Sequence, residues 1–313
     1  MKNRLTEMID IRYPIVLGGM AGVTDGPFAA AVSEAGGLGT IGAFKETGES
    51  LAVQIQYLRD LTGNPFAVNI PLIVPHAPEL IKTVCDAHVP VVITAAGDAG
   101  VYTRQLHDFG ARVIHVVPCV DLAKRAEDAG VDAVIAEGFE SGGFASPFEI
   151  GTLALVPQVV DAVRIPVLAA GGIADYRGYA ACLMLGADGV SVGTAFLATR
   201  EARRVGKAWM IQMLQGGDTC TKIAARGAAP FRILVNSYTP GFEKWVADGA
   251  SRKEIVSEIM SSDWSGETDG LFSCGQGVGL IKYVRTVSEV IDGFVSGSEM
   301  LLTRFAPDRI LTR

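Results

Sequence analysis

Short runs rich in β-branched and small apolar residues alternate with longer Ala-, Leu- and charge-rich segments before residue 200, and this rhythm leaves few folds open. The runs lie at 14–17, 38–42, 66–70, 89–94, 112–117, 132–137, 166–170 and 189–193. Helix-like segments fall between them, at 26–35, 50–61, 78–87, 120–129, 153–163 and 177–185. Several stop at or next to a glycine, as at Gly36, Gly110, Gly130 and Gly186, where a helix C-terminus favours that residue. Strands and helices in this order build a parallel sheet. Eight such units close most economically into a (β/α)8 TIM barrel. A doubly wound open sheet is the alternative, and it is disfavoured because no GxGxxG follows the first strand.

After residue 200 the rhythm breaks. Helices are predicted at 201–214, 251–261 and 279–303, with polar, glycine and aromatic residues mixed between them. A loop region this long is usually functional. The expected division is therefore a barrel made of 1–200 with a closing segment 276–313, and an inserted helical and loop segment, 201–275, over the barrel mouth.

With 313 residues, 49% of them hydrophobic, the chain can bury one large core. A formal net charge of -7 without a basic block disfavours nucleic acid and anionic membrane as partners. The first ten residues are polar and charged, unlike a signal peptide, and the apolar runs are shorter than the roughly 20 residues a bilayer needs. A cytoplasmic location is the expectation. Five cysteines without a CxxC pair predict reduced thiols and no metal site.

A barrel carries its chemistry at the C-terminal ends of the strands. Those positions hold Gly18, Gly19 and Met20 after the first strand, Gly171 and Gly172 after the seventh, and Gly193 and Thr194 after the eighth. Glycines there let backbone N–H groups approach an anion, so the last two loops predict a phosphate site. The same glycines would also serve plain tight turns. Asn69, ending the third strand, offers an amide donor and acceptor; Met20 could pack on a ring face or fill core.

The runs YPIVLGGM (13–20), AGGLG (35–39), PFAVN (65–69), EGFESGG (137–143), AAGGIA (169–174) and GQGVGLI (275–281) resemble those of the nitronate monooxygenase family. That family also contains the flavin-dependent enoyl-acyl-carrier-protein reductases. The resemblance implies a TIM barrel holding FMN non-covalently. By it, Gly18, Gly19, Met20 and Asn69 line the flavin ring and Lys124 approaches its N1/O2 edge. Gly171, Gly172, Gly193 and Thr194 hold the phosphate, and Glu137, Ser141, Gly142, Ala170, Gln276 and Gly277 complete the cofactor set. It also implies NAD(P)H as an electron donor in the reductase branch, and a homodimer.

One position departs from the family. A His is expected after Glu140-Ser141-Gly142-Gly143, and Phe144 stands there. Phenylalanine can neither take nor give a proton. His115, Tyr238 and Cys274 are weak substitutes, and His115 could point into the barrel. The expected activity is an FMN-dependent oxidation of a nitronate-like carbanion or related small substrate that needs no His base. The alternatives are reduction of an enoyl thioester with NAD(P)H, or a phosphate-binding barrel without redox chemistry or a flavin-binding protein that has lost catalysis.

Overall fold

A computed structural model describes residues 2–262 and 268–304. Residues 263–267 of the 201–275 segment and 305–313 of the closing segment lie outside the described residues. The strands are β1 (Ile15–Leu17), β2 (Gly39–Gly42), β3 (Phe66–Pro71), β4 (Val91–Ala95), β5 (Arg112–Val117), β6 (Ala133–Glu137), β7 (Gly143–Phe144), β8 (Val167–Ala170), β9 (Gly189–Val192), β10 (Thr221–Ala224) and β11 (Phe231–Leu234). Eight of them form one parallel sheet in the order β1-β9-β8-β6-β5-β4-β3-β2. The two edge strands meet where Leu17 N–H donates to Leu38 O and Leu38 N–H to Ile15 O, both at 2.9 Å. The sheet thereby closes into the (β/α)8 barrel that the alternating pattern predicts. Each of the eight expected strands is present, within two residues at either end.

Side-chain alternation sorts the strand residues into two layers. Val16, Leu38, Ala67, Ile93, Ile114, Ile135 and Leu168 fill the barrel interior. Val92, Val113, Val134 and Val190 face the surrounding helices. The bottom is stoppered by the helix Arg4–Ile9, whose Leu5 and Ile9 pack into the interior cluster. The polar N-terminus gave no sign of this helix, because Leu5, Met8 and Ile9 are too few to make a periodic pattern. A side chain buried this way contributes about 1.5–3 kcal/mol.

Two expected helices are shorter than their pattern. The helix expected over 201–214 begins only at Lys207, because 200–206 is spent on turns that follow a single bridge between Thr199 and Arg285. The last helix runs Val287–Arg304 rather than from 279, since Gln276–Leu280 is a 3-10 turn and the chain then extends to that bridge. It packs on the helix Tyr176–Met184 with Tyr179 stacked 6.0 Å from Phe294.

The 201–275 segment holds a second, antiparallel sheet, β10-β11-β7. Its third strand is lent by the barrel loop after β6: Phe231 pairs with Phe144 and Arg232 with Gly143. These short strands carry no alternation and were not expected. Phe231, Ile233, Phe242, Ile255 and Ile259 form a separate small core beside the barrel. Phe242 lies inside it, while Trp245 remains partly exposed.

Candidate active site

A cavity of about 1500 Å³ opens at the C-terminal ends of the barrel strands. A single small ligand typically occupies about 300–1,000 Å³. The cavity therefore has room for a cofactor and a second molecule. Loops after β1, β3, β6, β8 and β9 form its floor and sides, and residues 226–231 and the helix Arg252–Ser261 complete the wall.

Most of the residues singled out in the sequence converge here. Gly18, Gly19, Met20 and Asn69 line one side. A Cβ at Gly19 would fall 2.3 Å from the Cβ of Asn69, so the loop can lie against this asparagine only as glycine. Asn69 points inward on β3, leaving its amide towards the cavity.

Ala170, Gly171, Gly172, Gly193 and Thr194 line the opposite side. Gly172 has φ +72°, a conformation L side chains rarely adopt. The backbone N–H groups of Gly172 and Gly193 meet no acceptor among the described residues, so both are available to an anion. Thr194 Oγ1 accepts a hydrogen bond from Gly275 N–H at 2.9 Å, which leaves its own hydroxyl proton free to donate.

The loop after β6 is fixed by residues that the sequence did not single out as positioning groups. The Glu140 carboxylate accepts from Thr152 N–H at 2.9 Å, and Thr152 Oγ1 lies 2.9 Å from Glu140 Oε2 and 3.0 Å from Gly171 O. Arg232, 3% exposed, donates to Phe139 O at 2.9 Å and stacks over the Phe139 ring at 5.2 Å. Gln276 N–H donates to Glu140 O at 2.9 Å, bringing the 275–277 turn onto this loop. Gly275 and Gly277 line the cavity; the Gln276 side chain faces outward and is not on the wall.

Glu137, Ser141 and Gly142 also line the cavity. Burial pushes the Glu137 carboxyl up to about 7, against a hydrogen bond from Ser141 that lowers it. Phe144 stands on the wall as well, its ring 5.0 Å from Phe231 in an edge-on contact and 6.3 Å from Phe44. Where the resembling family expects an imidazole, this protein has a cluster of three phenyl rings.

The remaining expected residues are placed elsewhere. Lys124 is exposed on the helix Val120–Asp128; Ala123 and Ala126 pack inward there, and Leu122 and Arg125, rather than Lys124, reach the cavity. The inward position of β5 at the cavity is Val116, so no cation occupies the floor there. His115 alternates away from the barrel interior, on the side of Val113 and Val117, although it borders the cavity. Its Nδ1 lies 2.7 Å from Thr94 Oγ1, and burial lowers its pKa to about 4, so the ring is neutral. Tyr238 is not on the wall; its hydroxyl donates to Glu258 at 2.6 Å, and burial with that partner raises its pKa to about 12. Cys274 is buried off the wall, with its thiol pushed far up by desolvation. The rim carries Arg226, Arg252 and Lys253, which no motif marked in advance.

A parallel barrel whose glycine-rich loops face a largely apolar chamber at the C-terminal ends of its strands has the layout of a barrel enzyme's active site, with backbone N–H groups placed for an anion. The nitronate monooxygenase family profile matches residues 2–80 and 74–297, and the chain belongs to that family. A probable nitronate monooxygenase of Staphylococcus aureus (strain MSSA476) is 37% identical over 245 residues, spanning 64% of this chain and 69% of the relative. FabK from Thermotoga maritima is 37% identical, with a TM-score of 0.92, covering 97% of this chain and 98% of that one. Nitroalkane oxidase from Streptomyces ansochromogenes is 28% identical, with a TM-score of 0.84, covering 97% and 100%. The protein is thus an oxidoreductase of a flavin-using family.

Proposed function

We propose that this protein is an FMN-dependent oxidoreductase that acts on a preformed nitronate or comparable carbanion and lacks an imidazole base. The observation that carries this reading is Phe144, which stands on the cavity wall against Phe231 and near Phe44. The residues present fit FMN: Gly18, Gly19, Met20 and Asn69 would hold the ring, and Gly171, Gly172, Gly193 and Thr194 the phosphate. Bound FMN would supply reversible electron transfer to or from the substrate.

The three phenyl rings would exclude water from the substrate side and offer it an apolar surface. None can remove a carbon-bound proton, so a neutral nitroalkane would lack the help that a nitronate, already deprotonated, does not need. The 201–275 segment would serve as the cover, with 1–200 and 276–313 forming the flavin barrel.

A second reading is reduction of an enoyl thioester with NAD(P)H as donor. The cavity size suits it, since about 1500 Å³ can take a cofactor together with a second molecule larger than a small nitronate. The FabK likeness over 97% of the chain also supports it.

Acid release of the bound cofactor, followed by its identification, tests the first claim; FMN is expected, and recovery of FAD or of no flavin after reconstitution rejects it. Anaerobic mixing with a nitronate, a neutral nitroalkane, or NAD(P)H then separates the two readings. Rapid bleaching of the flavin absorbance by NAD(P)H, reversed by an enoyl thioester, would install the second reading in place of the first.

A further inference from the structure

Glu137 ends β6 with Ala133 and Ile135 facing the barrel interior on the same side, so its side chain projects into the mouth. The other inward strand residues on the cavity floor, among them Asn69, Ile93, Val116 and Ala170, are not ionisable. Glu137 pairs in register with Ala170, the residue directly before Gly171 and Gly172. Adjacent strands lie about 4.8 Å apart, so a carboxylate here stands beside the anion cradle. A carboxylate and a phosphate drawn to neighbouring places on one cavity wall disfavour one another.

The surrounding charges do not resolve the conflict. Glu140, on the following loop, is spent on Thr152. His115 on β5 is neutral and turned towards Thr94. On β8, Ala170 and Gly171 carry no charge, and Arg125, Arg226, Arg252, Lys253, Asp98 and Glu149 lie elsewhere on the wall. Burial and the Ser141 hydroxyl, rather than any of these charges, govern the Glu137 carboxyl among the described residues.

Resting on the FMN reading, we propose that Glu137 engages the nucleotide as a neutral carboxylic acid, a hydrogen-bond donor in the cradle, so that FMN binding and protonation of Glu137 are coupled. Protonation removes the like charge and gives the site a donor where a carboxylate could only accept. The raised carboxyl makes this accessible near neutrality: at about 7, the acid is half neutral at pH 7 in the free site. FMN affinity then falls as pH rises through that value, because binding favours the protonated form.

The test is FMN dissociation on dilution of the holoenzyme, read from recovery of flavin fluorescence at pH 6 and pH 8. If only the neutral acid binds, the competent fraction drops from about nine-tenths to about one-tenth, and the dissociation constant rises about tenfold. The FMN phosphate itself ionises near pH 6, so the measured quantity is the rise in the natural protein relative to Glu137→Gln, whose amide cannot ionise. Expected is a rise about tenfold larger in the natural protein; equal rises overturn the proposal. If Glu137→Gln does not fold, Ser141→Ala takes its place. Losing the bond that lowers the carboxyl should move the loss of affinity to higher pH, and an unmoved midpoint overturns the proposal. A protein that yields no flavin fails at the FMN reading, and this inference falls with it; a protein that binds FMN with parallel pH curves fails here alone.

Discussion

Phe144→His would restore an imidazole at the position where the family pattern expects one, and its effects can be set against each other. The backbone pairing of Phe144 with Phe231 is independent of the side chain, so β7 should persist. What is lost is the ring contact at 5.0 Å with Phe231 and the looser one at 6.3 Å with Phe44. Aromatic pairs contribute about 0.5–1.5 kcal/mol beyond burial, and Phe144 is 38% exposed, which puts the cost at the lower end. A positioned base contributes typically about 10²- to 10⁴-fold, or roughly 2.7–5.4 kcal/mol of barrier. Catalytic gain should exceed structural loss. The apolar neighbours would hold the new imidazole at or below its ordinary value of about 6.5, keeping it in the basic form at pH 7.5. Anaerobic stopped-flow bleaching of the flavin, with a neutral nitroalkane and separately with its nitronate, is the assay. At least about 100-fold faster bleaching by the neutral form is expected, with the nitronate rate changed only a few-fold. Efficient neutral-nitroalkane oxidation by the natural protein would refute the reasoning, since another base would then exist. An unchanged ratio in the substituted protein would refute it equally, by showing that residue 144 does not face the reacting carbon.

Gly172→Val places a β-branched side chain at φ +72° with its Cβ 3.2 Å from the Cβ of Glu140, and strain of this kind costs about 1–3 kcal/mol. The expected product is a folded protein by circular dichroism that has lost FMN; full occupancy with unchanged affinity would show that the glycine serves only the turn. Lys124→Ala should leave FMN affinity and the visible spectrum unchanged, because Lys124 is exposed and off the cavity wall; a spectral shift or weakened binding would bring that side chain back to the ring.

The barrel was legible because eight strands each announce themselves over four to six residues and recur in a fixed rhythm. The glycine cradle was legible for a related reason: Gly19, Gly171 and Gly172 occupy places where any Cβ collides or strains. Lys124 could not be placed this way, since a helix residue faces cavity or solvent according to a rotation of about 100° per residue, and Arg125 next to it takes the inward side. His115 turned on the same kind of parity, with one residue along a strand separating barrel interior from helix layer. The 2–4-residue strands β7, β10 and β11 were invisible because pairing, not pattern, creates them. The aromatic wall was hidden for a like reason, since Phe44, Phe144 and Phe231 are distant in sequence, Phe231 reaching Phe144 through that pairing and Phe44 through the closure of the barrel.

The loan of β7 to the sheet of the 201–275 segment has a consequence for how this enzyme can change. The floor of the site belongs to the barrel, but the orientation of residue 144 is set by Phe231 and Arg232, which the barrel does not supply. Drift around Phe231 and Arg232 would re-aim residue 144 on the cavity wall while leaving the glycines at 171, 172 and 193 untouched. On the proposed reading, the wall that would meet a substrate draws on both stretches of the chain, whereas the glycines that would meet a phosphate lie on the barrel alone, so the wall is the part free to vary.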